Sequence, residues 1–353
     1  MRIAFVVADV AQQSSTFGTL YLARAALRRG HEVCFVGVDQ LTFAPNNRVL
    51  GNVVRVPASA ASSTAGLAQA LAQADASRNE EDLGHSDVVF LRFNPSREGR
   101  NGGAAPPGPK LNPAVEFGWR LRLGGTLVVN DPEGIQRAGG RMYLSGLPQS
   151  IRPRTLITRS DQAVKKFLKK LGGPAIIKPL AGGGVETVFF VERRRNPNLN
   201  QILSTVKQLG YVIVQEYIPD ARRGDKRLLL LNGQPIRKGE RVAIYRRVRP
   251  AEAPDAEPGS HLARAERKSC EFGPEEQHIV DLVRPRLLAD GLYLVGIDIV
   301  GGMVLEINVH TPGGLHANAE LYGFDVGEIV VRDLERRVSV RAAYGAAALP
   351  HVL

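Results

Sequence analysis

Two apolar runs, Gly296-Ile-Asp-Ile-Val300 and Met303-Val-Leu-Glu-Ile-Asn308, flank the dipeptide Gly301-Gly302. A glycine pair between two β-type runs predicts an antiparallel hairpin, which commits this part of the chain to a sheet. Three oxygen-bearing side chains, Asp298, Glu306 and Asn308, interrupt the apolar pattern. Glu306 and Asn308 flank Ile307, so on a strand they share one face, while Leu305 and Ile307 take the other. A three-residue loop over 301–303 would set Asp298 opposite Glu306, whereas a two-residue loop would put them on opposite faces; the three-residue loop is therefore expected. Two carboxylates and an amide oxygen on one face suit Mg²⁺, a hard ion that completes its octahedron with water and phosphates. Taken alone, the spacing is explained equally well by the polar face of a half-exposed hairpin.

The chain has 353 residues, enough for two or three domains, and its 44% hydrophobic content is that of an ordinary folded protein. No run approaches the ~20 apolar residues of a membrane span, so no membrane partner is expected. The opening Met1-Arg-Ile-Ala-Phe-Val-Val reads as a first strand and not as a signal peptide. Cys34 and Cys270 lie far apart without metal-ligand spacing, and a reducing cytoplasm is the expected location. The net charge of +11 raises nucleic-acid binding. Arginines are spread along the chain, the clusters at 193–195 and 246–249 are short, and no aromatic-interleaved basic stripe exists, so no nucleic-acid partner is expected. Attraction for anionic small molecules is the alternative use of the charge.

Residues 3–7, a helix over about 19–29 and a strand over 32–37 form a βαβ pattern, which favours a parallel sheet. Further buried strands are read at 87–92 and 125–130. Ser14, Ser15 and Thr16 follow the first strand, where ligands collect, yet helix capping explains them equally well. From residue 151 the character changes. A strand over 154–158, a helix capped by Ser160, strands at 175–180 and 187–191, a helix over 199–209 and strands at 212–218 and 226–231 predict α+β lobes with antiparallel sheets. The expected division is an N-terminal α/β domain over 1–125, a lobe over 126–211, a second lobe over 212–340 and a tail over 341–353. No regular structure is expected over 251–260, which is rich in Pro, Ala and acids.

Gly182, Gly183 and Gly184 form a turn between two strands, with Lys178 on the entering strand. Glycines admit close approach of backbone N–H groups to phosphates, and a lysine supplies charge. The segment is not a Walker loop, since no Gly-Lys-Ser/Thr ending or helix follows, and by itself it reads rather as a flexible hairpin with a chance lysine. Order and spacing add to it. After this unit come Gln215-Glu-Tyr-Ile-Pro219, then Gly224-Asp-Lys-Arg227, then the Asp298…Glu306-Ile-Asn308 hairpin.

That series resembles the bacterial glutathione synthetase family of ATP-grasp ligases, over residues 130–338, with weaker similarity before. The resemblance implies an N-terminal parallel-sheet domain followed by two ATP-grasp lobes, with ATP and Mg²⁺ as cofactors. It further implies small-molecule carboxylate and amine substrates and a homo-oligomer. Lys178 and Arg141 would meet the nucleotide phosphates, Gly182 to Gly184 would form the lid, and Gln215, Glu216, Tyr217 and Ile218 would meet the adenine edge, with Asp225 near the ribose. Arg227 and Arg247 would face the transferred phosphate and the acyl-phosphate. Asp298, Glu306 and Asn308 would be the Mg²⁺ ligands. Arg92, Ser260, His261, Thr311, Gly313 and Gly314 fall where the family contacts its substrate. Arg92 could equally be a surface arginine, and His261 a solvated loop histidine.

Departures are concentrated on the substrate side. Arg141 stands where the family carries a lysine after its Asn-x-Pro motif, and Val185 replaces a lid glycine. The substrate loop reads Gly259-Ser-His-Leu-Ala-Arg-Ala-Glu266, with His261 for asparagine and Ala265 and Glu266 for two glycines. The expected activity is ATP-dependent carboxylate–amine ligation through an acyl-phosphate, with γ-glutamylcysteine and glycine as the default pair. The altered loop admits other amino acids or a specialised-metabolite acid. A small-molecule kinase or a catalytically silent ATP-binding protein are the more distant alternatives.

Overall fold

The computed structural model describes residues 1–74, 79–94, 112–180, 187–192, 196–248 and 265–345. The N-terminal sheet contains β1 (Arg2–Val7), β2 (Glu32–Gly37), β3 (Leu41–Phe43), β4 (Val49–Arg55), β5 (Asn79–Asp82), β6 (Val88–Arg92) and β7 (Leu127–Val129). Its helices are α1 (Gly18–Arg28), α2 (Thr64–Ala72), α3 (Pro113–Leu123) and α4 (Pro132–Ala138). β2, β1, β6 and β7 run parallel, as the βαβ pattern predicts. β3, β4 and β5 add an antiparallel edge that the sequence reading did not anticipate. Phe5 stacks between Phe35 and Phe90, its partners on β2 and β6, with ring centroids 5.3 and 5.8 Å away. Because β7 belongs to this sheet, the sheet extends past residue 125 to Val129.

The second sheet is antiparallel, in the order β10-β9-β11-β8: β8 (Thr155–Thr158), β9 (Ala175–Pro179), β10 (Phe189–Val191) and β11 (Val212–Glu216). Helices α5 (Asp161–Leu171) and α6 (Leu199–Gln208) cover it, and Ser160 caps α5 by accepting from the Ala163 N–H. Val164, Ile177, Leu203, Val206 and Val214 give this lobe a core of its own. Since β11 hydrogen-bonds β8 and β9, a boundary after residue 211 would cut a strand from its own sheet. The turn carrying Gly182, Gly183 and Gly184 lies outside the described residues, as do Ser260 and His261.

The third sheet comprises β12 (Asp225–Leu231), β13 (Gln234–Pro235), β16 (Ile244–Val248), β17 (Glu266–Ser269), β18 (Leu294–Val300) and β19 (Met303–Asn308). A small separate hairpin pairs β14 (Arg237–Lys238) with β15 (Arg241–Val242). Helix α7 (Pro274–Ala289) packs on the sheet, followed in the chain by α8 (Leu315–Tyr322) and α9 (Val326–Tyr344). Leu229, Tyr293, Leu315, Val330 and Leu334 join Phe5, Leu20 and Phe90 in one core, so this lobe and the N-terminal domain share their interior. Each such fully buried side chain contributes roughly 1.5–3 kcal/mol. Asn130, 2% exposed, ties the two parts: its amide donates to Leu294 O and Val309 O and accepts from the Leu294 N–H. Helix α9 continues through Arg341 to Tyr344, so the first four residues assigned to a tail are helical.

The hairpin corrects one expectation and keeps its consequence. Val300 pairs with Met303, so the loop is the two residues Gly301 and Gly302, at φ +50° and +70°, and not three. Asp298 nevertheless pairs with Glu306, because the register shifts between Asp298 and Ile299. One extra residue, Leu305, is accommodated as a β-bulge.

Candidate active site

A cavity of about 700 Å³ opens between the second and third sheets. Arg141, Lys178 and Gln215 line one side, and Asp225, Arg247, Asp298 and Glu306 the other. Strand pairing produces the second group. Tyr245 on β16 faces Arg227 on β12, Arg227 faces Asp298 on β18, and Asp298 faces Glu306 on β19. Asp225 faces Arg247 one step along the first ladder. Alternating side chains thus form a row across four strands, and distant sequence positions meet.

Asp298 is buried and charge-paired. Arg227 Nε donates to its Oδ1 and Arg227 Nη2 to its Oδ2, both at 2.6 Å, and Arg247 Nη2 lies 2.8 Å from Oδ2. Burial alone would raise its pKa, but the two guanidinium groups outweigh burial and hold it below the ordinary carboxylate range. Glu306 shows the opposite balance: burial, and then the charge of Asp298, push its pKa up. Lys178 Nζ donates to Gln215 Oε1 at 3.0 Å, and burial together with the charge of Arg141 lowers the lysine to about 8. Arg141 itself donates to Pro179 O, and burial lowers its pKa. These clustered cations, each disfavoured by its surroundings, suit a polyanion.

Glu216, Tyr217 and Ile218 line the same cavity. The Glu216 side chain is held by Arg154 at 2.7 Å, and the Glu216 and Tyr217 N–H groups donate to Arg154 O and Pro174 O. Asn308 faces Gly296 at the end of the hairpin, and its buried Nδ2 has no hydrogen-bond partner among the described residues. Among the described residues, no three His, Cys, Asp or Glu side chains form a complete metal cluster. The donor set Asp298, Glu306 and Asn308 fits Mg²⁺ all the same: two hard carboxylates face each other, burial and the charge of Asp298 disfavour the ionised form of Glu306, and Asn308 carries a buried amide nitrogen unsatisfied among the described residues. Which amide atom faces the carboxylates is a matter of a side-chain flip.

A second cavity of about 630 Å³ adjoins the first, with Arg247 and Ala265 lining both. It gathers Arg92, Thr311, Gly313 and Gly314 beside Arg227. Arg92 is not a surface arginine: it is 5% exposed and donates to Thr19 Oγ1 at 3.1 Å. Thr16 also lines this cavity, while the N-cap of α1 is Phe17 without a side-chain cap, so capping does not account for the serine–threonine run. A Cβ at Gly314 would sit 2.8 Å from the Tyr245 ring, which explains a glycine there. The sequence reading missed Tyr245, Arg267 and His316, all lining this cavity. The i, i+2 spacing of Tyr245 with Arg247 is the one signal that could have found the first.

Residues 140–323 match the family model for the prokaryotic glutathione synthetase ATP-grasp domain, and residues 1–101 that for its N-terminal domain. The chain belongs to the prokaryotic glutathione synthetase family. Within that family, it is 34% identical over 216 residues to a glutathione synthetase of Synechococcus elongatus, covering 61% of this chain and 63% of the relative. It is 28% identical over 350 residues to a glutathione synthetase of a Nostoc species, covering 97% and 100%. The chain thus aligns with less than two thirds of the length of the Synechococcus relative. Among solved structures, the ATP-grasp ligase PsnB complexed with a precursor peptide and AMPPNP superimposes with a TM-score of 0.58 at 16% identity, covering 95% of this chain and 98% of that one. The D-cycloserine synthetase DcsG gives 0.57 at 17%, covering 95% and 99%. These likenesses show a shared ATP-grasp fold. Among the described residues, no helix of this family member is long and apolar enough to cross a membrane.

Proposed function

We propose that the protein is an ATP-dependent, ADP-forming carboxylate–amine ligase, with γ-glutamylcysteine and glycine as the default substrates. The observation that carries this reading is the meeting of two cavities at Arg247, one lined by Lys178, Arg141 and the Asp298–Glu306 pair, the other by Arg92, Arg227 and the Thr311–Gly314 turn. A nucleotide would occupy the first, with Lys178 and Arg141 on its phosphates and the 215–218 segment along its base. Asp298, Glu306 and Asn308 would hold Mg²⁺, which when bound neutralises and aligns phosphate oxygens. An acid in the second cavity would present its carboxylate at the junction.

Phosphoryl transfer to a carboxylate gathers negative oxygens, so its cost lies in charge and alignment. Arg227 and Arg247, ordered on strands, would offset that charge without reorganising. Gly313 and Gly314 let backbone N–H groups approach the acyl oxygen closely. The amine would then attack the acyl-phosphate, forming the C–N bond and releasing phosphate. The lobe with its own core, β8 to β11, is the part able to close over the labile intermediate and exclude water.

The test is incubation with ATP and Mg²⁺ against amino acids and γ-glutamyl dipeptides, following phosphate release and product mass. Phosphate release that needs both acid and amine, with a product short of one water, supports the reading. A stable phosphorylated product would make the protein a kinase, and tight ATP binding without turnover would make it a binding protein.

A further inference from the structure

We propose that the Tyr245 hydroxyl is a catalytic donor for the second half of the reaction, bonding the acyl oxygen while the amine adds to the carbonyl. Tyr245 is 4% exposed and lines the second cavity. It faces Arg227 across the ladder between β12 and β16 and precedes Arg247 by two residues, so all three side chains share one sheet face. A buried tyrosine usually spends its O–H on a neighbour. This one does not: among the described residues its hydroxyl has no hydrogen-bond partner, nor is it closed off from the cavity. An otherwise buried side chain thus presents one open O–H to whatever fills the cavity.

The neighbouring backbone supplies matching donors. A Cβ at Gly314, whose φ is +115°, would sit 2.8 Å from the Tyr245 ring and 3.3 Å from its hydroxyl oxygen, so the hydroxyl lies against the 313–314 backbone. Neither the Gly313 nor the Gly314 N–H has a partner among the described residues. Gly314 is also the N-cap of α8, where unpaired N–H groups carry the positive end of the helix dipole. The charges that act most strongly on the hydroxyl are Arg227 and Arg247, followed by Asp298 and Arg267. Three cations against one carboxylate repel an incoming ammonium and favour an oxygen that gains negative charge. Burial outweighs those cations and raises the pKa of the phenol, so the hydroxyl keeps its proton and acts as a donor.

When the neutral amine adds to the acyl-phosphate, the C–N bond forms and the carbonyl π pair moves onto the acyl oxygen. The Tyr245 O–H would tighten its hydrogen bond to that oxyanion without giving up the proton. Collapse re-forms the C=O bond and breaks the C–O bond to phosphate, which leaves with the electron pair and takes the surplus amine proton. Arg247, at the junction of the cavities, would meet the phosphate while Tyr245 meets the carbonyl. Two residues of one strand thus serve the two ends of the same acyl-phosphate.

Tyr245 has this duty only if an acid is activated in the second cavity, so it rests on the ligase reading, and Tyr245→Phe separates the two. The variant keeps the ring against Gly314 and removes the O–H alone, which an unchanged melting temperature checks. With protein in excess over radiolabelled ATP, and with the acid and amine that the wild type joins, γ-glutamylcysteine and glycine by default, rapid quench follows ADP and amide. Borohydride reduction traps the acyl-phosphate in the same samples. In Tyr245→Phe, ADP forms within about twofold of the wild-type rate while amide formation falls about 100-fold, as for loss of one oxyanion donor, so the acyl-phosphate accumulates. Amide formation at the wild-type rate in the variant overturns the role. So does an equal slowing of ADP and amide, which would place Tyr245 in the phosphoryl step. A wild type that forms neither acyl-phosphate nor amide with any pair from the panel of amino acids and γ-glutamyl dipeptides fails the ligase reading itself, and the role of Tyr245 falls with it.

Discussion

Arg227 and Asp298 face each other across β12 and β18, and their side chains form two parallel hydrogen bonds of 2.6 Å with the carboxylate 4% exposed. On the next strand Glu306 faces Asp298 with its pKa raised. One carboxylate of the proposed metal pair is thus satisfied by protein, and the other is strained by it. The two should separate stability from function.

In a chelator, Asp298→Asn should lower the melting temperature, since removing one partner of a buried ion pair costs roughly 3–5 kcal/mol. Glu306→Gln should leave it unchanged or raised. A carboxylate whose folded pKa lies above its unfolded value lends stability only at low pH, and that contribution is lost as pH rises through the folded pKa. At neutral pH the charge of Glu306 is therefore a cost that Gln removes. Both variants should lose Mn²⁺ binding in the presence of AMPPNP, read by water-proton relaxation, and with it turnover. Melting curves in which Glu306→Gln falls as far as Asp298→Asn would contradict the assigned balance.

Lys178 supplies a pH dependence. Burial and the charge of Arg141 bring it to about 8. Only the protonated amine attracts phosphate, so nucleotide affinity should fall as pH rises through 8, by up to about tenfold per unit. The stability of the free protein should move the other way, rising between 8 and the unfolded lysine value, because the unfolded chain binds the extra proton there. Lys178→Arg, which keeps its charge, should bind AMPPNP with a flat profile from pH 7 to 9.5. Calorimetric titrations at several pH values in wild type and variant check this, and a flat wild-type profile would remove Lys178 from the phosphates.

Much of this architecture was readable from local pattern. The βαβ alternation announced the parallel strands β1 and β2, and the Ser160 cap announced α5, because both signals lie within one or two turns of chain. The pairing of Asp225 with Arg247 was not readable, since no local pattern says that residues 22 apart share a register. The hairpin is intermediate: the face shared by Asp298 and Glu306 was expected, but the device that produces it was misjudged. A loop of three residues and a loop of two plus a bulge place the same pair together, and alternation of side chains cannot tell them apart. The expected breaks after residues 125 and 211 fall just ahead of β7 and β11, each of which pairs with a strand that precedes it in the chain, and such pairing is not visible in local pattern.

Two glycines in positive-φ conformations should respond unequally to the same change. At Gly172, the left-handed cap of α5 with φ +76°, a Cβ meets nothing within 4 Å, so Gly172→Ala should cost only the backbone term of roughly 1–2 kcal/mol. At Gly224 a Cβ would lie 1.8 Å from Arg247 O. Gly224→Ala must part β12 from β16 near the arginine, and should reduce turnover far more than its shift in urea midpoint would suggest. Equal effects of the two substitutions on activity would mean that the close approach at Gly224 does not matter to the site.

The bulge makes a deletion experiment decisive. Val304 pairs with Ile299 and Glu306 with Asp298, so Leu305 is the unpaired residue. Removing it restores a regular ladder without moving either pair, and the face of Glu306 is kept. Leu305 also lines the first cavity, proposed to take the nucleotide, so its deletion should weaken AMPPNP modestly, about tenfold or less if one buried apolar contact is lost. Mn²⁺ binding should survive. Removing Ile307 is different: it pairs with Ile297 inside the regular ladder, so Asn308 would slide opposite Ile297 and point into the apolar core. That deletion should lower the melting temperature sharply and abolish metal binding. If the Leu305 deletion loses Mn²⁺ as completely as the Ile307 deletion, the bulge is itself holding Glu306 in place, and the face shared by Asp298 and Glu306 does not follow from strand alternation alone.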